Sequence, residues 1–193
     1  MSTTTVANVA DGSPGAVVED VLRIGAEARE AFGRLSAEQI NWKPSAEQWS
    51  VGQCFEHLMK TNEGFFQTLE AIAKGERRPR LWERVSPFSG LFGRFLLRGL
   101  SSKMKFKAPR GVRPAASGVA ADIVARFVEH QGELARRLRA AEGVDARRTV
   151  VTSPISGFVT YRFDDACRIV VAHERRHFEQ ARRVTRAEGF PRA

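Results

Sequence analysis

The chain carries four histidines, and two of them, His173 and His177, stand four residues apart near its end. On a helix that spacing projects both imidazoles from one face, a turn apart. Stepping by three and four from Ala166 and Val170 lands on His173, His177, Ala181 and Val184. The two imidazoles therefore fill places where a packed helix wants apolar side chains. A buried imidazole needs partners for both ring nitrogens, and a metal ion satisfies one on each ring. The alternative is a pair of core histidines hydrogen-bonded to neighbouring side chains. His57, in Cys54-Phe55-Glu56-His57-Leu58, lies on the rim of another apolar stripe. If the two segments are neighbours, it meets His173 and His177 in the core. Three imidazoles bind a first-row divalent ion and leave an open position for water or substrate. The neutral ligand set leaves the ion its full charge, which lowers the pKa of bound water or stabilises an incoming thiolate. The first chemistry is hydrolysis and the second is thiol transfer, and both stand open here. Zinc, nickel and iron all suit imidazole, so the metal's identity stays open too.

His173-Glu174-Arg175-Arg176-His177 also spells H-E-x-x-H, the zinc-protease helix in which the Glu is general base. That chemistry needs a third ligand downstream, and no histidine follows His177; Gln180 stands where the extended motif has Gly. Glu174, one residue after His173, is expected to point about 100° away from it, to solvent. Cys54 and Cys167 read as small core residues rather than ligands. His130, beside the stripe of Phe127 and Leu134, reads as partly exposed rather than as a support for the site. Trp42, Trp49 and Trp82 read as loop-anchoring hydrophobes, with Trp49 an apolar staple before a helix start at Ser50. No phosphate-cradling, dinucleotide-binding or serine-hydrolase motif and no C-x-x-C pair occurs.

Four segments with helical periodicity must position these groups. The first runs from about Ala16 to Leu35. The second follows Ser50, with Gln53 completing a capping box, and stops at Gly75. The third carries Val119, Ile123, Phe127, Leu134 and Leu138 and ends at Gly143. The fourth runs from about Asp164 to Glu188, before Gly189 and Pro191. With no convincing alternating strands, the expectation is an all-α four-helix bundle forming a single domain over residues 1–193, with 1–15 as a flexible tail. Residues 76–118 form a link long enough to let the second and third helices run parallel. Phe88, Leu91, Phe92, Phe95 and Leu96 predict a short apolar helix within it. That helix is expected to cover the core; as alternatives it lids a pocket, or the segment Phe95 to Lys107 touches anionic lipid.

Trp49-Ser50, then Cys54-x-x-His57-Leu58, then His173-x-x-x-His177, with the long link ending near Lys107-Ala108-Pro109, resembles the DinB/YfiT-like superfamily from about Ala16 to Glu188. The resemblance implies an up-down-down-up bundle with a metal held by His57, His173 and His177. It also implies a thiol S-transferase using a low-molecular-weight thiol such as bacillithiol or mycothiol on a small-molecule substrate, and a homodimer. A metal-dependent hydrolase and a non-catalytic metal- or ligand-binding bundle are the alternatives.

The 193 residues carry Lys and Arg 31 times against 22 Asp and Glu, a net charge of +9. Residues 1–100 are balanced and residues 101–193 hold the whole excess. The basic residues are mostly Arg pairs along helical patterns, without stacking aromatics, which reads as solvated helix faces rather than a specific nucleic-acid surface. No run of about 18 apolar residues occurs, because Arg94 and Arg98 interrupt the best candidate, so no membrane span is expected. With no secretory leader and only two cysteines, the expected compartment is cytoplasmic.

Overall fold

A computed structural model describes residues 11–78, 81, 83, 89–100, 108–116 and 118–192. It is mostly helical: α1 (Pro14–Phe32), α2 (Ala37–Asn41), α3 (Val51–Ala73), α4 (Ser89–Leu100), α5 (Ile123–Ala140) and α6 (Phe163–Thr185), with a 3₁₀ turn at Arg110–Val112. Several of the helix starts have a local cause. Pro14 opens α1 where its missing N–H costs nothing. Ser50 caps α3 as the capping box predicts: its Oγ accepts from the Gln53 amide at 3.1 Å, and its own N–H donates to Gln53 Oε1 at 3.0 Å. Asp164 and Asp165 face the positive end of α6. At the far end of α3, Gly75 takes a left-handed φ of 67° and stops the helix where the sequence places the stop.

The helix expectation is corrected at one place. Between α5 and α6 the chain forms an antiparallel ribbon, β1 (Val150–Thr152) and β2 (Thr160–Arg162), with Val151 opposite Tyr161. Three residues per strand are too few for the alternation that marks a strand in sequence. The ribbon buries Val151 and Tyr161 at the edge of the core.

Helices α1 and α3 each pack against both α5 and α6. Through their shared, mostly aliphatic core runs a chain of aromatic rings. Phe32 of α1 meets Phe55 of α3 and Phe178 of α6 edge-on, both at 5.4 Å, and Phe55 meets Phe127 of α5 at 4.7 Å. Edge-to-face rings add about 1 kcal/mol to each pair beyond area burial. Cys54 and Cys167 are buried in this core as free thiols, and burial pushes the Cys54 thiol up to about 12.

The link helix α4 forms as expected and packs on α6 and β2. It covers the core with one side only. Gly93 and Leu100 are buried, whereas Leu91, Phe92 and Phe95 are exposed. Trp82 and Phe88, residues 1–10 of the expected tail, and the Lys103 to Lys107 stretch lie outside the described residues. Trp42 does anchor a loop, meeting Phe190 beyond α6 at 5.5 Å.

Candidate metal centre

The polar stripe of α3 places His57. Gln53, Glu56, His57 and Lys60 recur at three- and four-residue steps, so they share one face. All four hydrogen-bond the backbone that follows the 3₁₀ turn or belongs to it. Gln53 Nε2 donates to the Ala115 and Ala116 carbonyls at 2.7 and 3.0 Å. Glu56 accepts from the Ala115 amide at 2.7 Å, and Lys60 Nζ donates to the Arg113 carbonyl at 3.3 Å. Within this seam His57 Nδ1 donates to the Val112 carbonyl at 2.6 Å. A carbonyl only accepts, so Nδ1 carries the proton and Nε2 presents a lone pair.

That Nε2 lies 3.2 Å from His173 Nε2, on α6. His177, a turn further along, completes the group: its ring centroid is 4.6 Å from that of His173 and 4.7 Å from that of His57. One nitrogen from each of the three rings lies within 4.8 Å of the other two. A tetrahedral ion with bonds of about 2.1 Å sets its ligand nitrogens ~3.4 Å apart, close to the separation of His57 and His173. Among the described residues no other such group of His, Cys, Asp and Glu occurs.

The donor set fits a divalent metal. His57 is 3% exposed, while His173 and His177 are half-buried and open on a cleft. His177 Nδ1 is buried without a hydrogen-bond partner, an orphan that costs about 1–3 kcal/mol if left so. Burial, and then the neighbouring His57 and Arg176, hold His173 down at about 3. Burial and the two other imidazoles depress His177, and burial depresses His57. All three rings are neutral at pH 7, which is the state a metal requires. His57 is also already oriented by its backbone partner, as ligating imidazoles usually are.

Sequence reasoning missed two features here. Trp49 does more than start a helix: its ring stacks on His177 at 5.5 Å and tilts against His57 at 4.9 Å, roofing two of the three imidazoles. Its place directly before the Ser50 cap was the signal available. Glu174 does not point to solvent. It is 0% exposed, and its Oε1 accepts from Asn62 of α3 and Gln131 of α5, both at 2.8 Å. Helix α6 packs on α1, α3 and α4, so its buried arc is wider than one stripe. Glu174 does not line the cleft, and the protease role for it fails on position.

His130 does not join the site. It is partly exposed, stacks on Phe66 at 5.0 Å, and burial without a partner for Nε2 lowers its pKa to about 4. The cleft running past the three histidines is lined on its apolar side by Phe65, Leu96, Leu100 and Val170, and carries the cations Arg113, Arg176 and Arg183. Arg176 also donates to the Leu100 carbonyl at 3.1 Å, closing the C-terminus of α4.

A mostly helical chain with three convergent imidazoles able to hold a metal defines the class of protein. The model of the DinB superfamily matches residues 22–181, and the chain belongs to that superfamily. No curated protein and no solved structure gave a match. Among the described residues no helix is long and apolar enough to cross a membrane.

Proposed function

We propose that the chain is a cytoplasmic, metal-dependent thiol S-transferase, with His57, His173 and His177 as the ligands of one divalent ion. In this reading residues 1–193 form one domain, and α1, α3, α5 and α6 are an up-down-down-up four-helix bundle. The observation that carries the proposal is the convergence of three neutral imidazoles on one open cleft. A divalent ion held there supplies Lewis-acid charge that stabilises a thiolate at neutral pH. The chain's own residues do the rest. The Val112 carbonyl fixes the His57 ring, and Trp49 keeps water from the sides of His57 and His177. Arg113, Arg176 and Arg183 give the cleft a positive field that suits an anionic low-molecular-weight thiol, and its apolar side suits a small electrophile.

Elemental mass spectrometry on untagged protein tests the ligands. About one ion per chain is expected, lost in each of His57→Ala, His173→Ala and His177→Ala with helicity retained; unchanged stoichiometry in all three variants rejects the site. Adding a small thiol to cobalt-substituted protein tests the chemistry. A changed visible spectrum supports thiol binding, while turnover of ester or amide substrates with a spectrum indifferent to thiol favours the hydrolase instead.

A further inference from the structure

The outward side of α4 is amphipathic in a way that packing leaves unexplained. At 100° per residue, Gly93 and Leu100 share the inward direction, and both are buried. Gly93 is small of necessity, since a Cβ there would lie 2.5 Å from Asp165 Oδ2. Leu91 and Phe95, one turn apart, make the outward ridge and are 57% and 65% exposed, with Phe92 beside them at 46%. Arg94 and Arg98 flank the ridge on its other side, both exposed. Strand β2, which packs on α4, ends a turn that exposes Ile155 and Phe158, the latter 97% exposed. The sequence around this helix is one-signed: no Asp or Glu occurs between Glu83 and Asp122, while Lys or Arg recurs from Arg84 to Arg113.

From this juxtaposition we infer that the outward side of α4 is a peripheral docking surface for an anionic lipid bilayer. The ridge of Leu91, Phe92 and Phe95 enters the boundary between headgroups and acyl chains, and Arg94 and Arg98 lie against the anionic headgroups. Charge decides between occupants. A second copy docking by the same face would set each arginine pair, in an acid-free stretch, against its own image. A nucleic acid would use the arginines and leave the apolar ridge in water. An anionic bilayer takes both, and it requires no spanning helix.

Co-sedimentation of the full chain with vesicles is the test, using phosphatidylcholine mixed with phosphatidylglycerol against phosphatidylcholine alone. Binding to the anionic vesicles is expected, weakening as salt is raised. Arg94→Gln/Arg98→Gln should lower the partition coefficient about 25-fold, at roughly fivefold per cation. Phe92→Ser/Phe95→Ser should lower it about tenfold or more while leaving metal content and circular dichroism unchanged, since both rings are exposed. Absence of co-sedimentation, equal partition onto the neutral vesicles, or an unaffected serine variant each overturns the inference. So does a dimer, seen by light scattering, that the serine variant dissolves, because the face then belongs to a second copy.

Discussion

Glu174→Gln is expected to stabilise the metal-free protein, and by an amount that depends on pH. Burial raises this carboxyl from 4.5 to about 7, against the lowering effect of Gln131 and Asn62. A carboxyl raised on folding holds its proton more tightly in the native state, so its ionisation opposes folding as pH climbs from the unfolded value to the folded one. At about 1.4 kcal/mol per pH unit between those values, Glu174 costs about 3 kcal/mol at pH 8 and under about 1 kcal/mol at pH 5. Glutamine removes that dependence. It keeps an acceptor for Asn62 and Gln131 and leaves no charge on the Glu174 side, where Oε2 is buried without a hydrogen-bond partner. Urea unfolding in the presence of chelator measures the difference. The variant should be more stable by about 3 kcal/mol at pH 8, with most of the gain gone at pH 5. A gain equal at both pH values, or a loss at pH 8, would refute the buried-carboxyl account.

Three further outcomes follow from the same geometry. Because the three imidazoles are depressed by burial, zinc affinity should change less than about threefold between pH 7 and 6, where three unperturbed histidines would lose about 30-fold; competition titration at both pH values decides. Phe178→Ala, at 1% exposure and edge-on to Phe32, should cost about 3–5 kcal/mol in urea unfolding; a cost below about 1 kcal/mol would mean the aromatic chain is not the centre of the core. Cys54 and Cys167, both buried with raised thiol values, should resist alkylation in the native protein and react once it is unfolded. Native modification at pH 8 would show that the core opens.

The parts of this molecule legible in sequence are those set by short-range spacing. His173 and His177 sit one turn apart, Ser50 and Gln53 form a reciprocal cap, and Gly75 ends a helix; each is decided within a few residues. That His57 meets them was legible from its place at the rim of a stripe, though not the pairing itself. What spacing cannot carry is the width of a helix's buried arc. A stripe reading gives α6 one inward side, but α1, α3 and α4 all pack against it, and Glu174 is enclosed as a result. Trp49 was equally hidden, because its ring reaches His177 from a different part of the chain. The β1 and β2 strands were invisible for want of length, and the outward ridge of α4 because a periodic apolar run does not say which of its members packing will spare.

The proton on His57 Nδ1 is held by a main-chain oxygen, that of Val112. No codon change deletes a carbonyl, so this partner is silent both to alanine scanning and to the comparison of residues between relatives. Residues 110–112 are thereby free to drift in identity while the path of the chain through the turn is not. Only insertions, deletions or a redirected backbone there can retune the imidazole, and a survey of side chains alone would count the turn as dispensable.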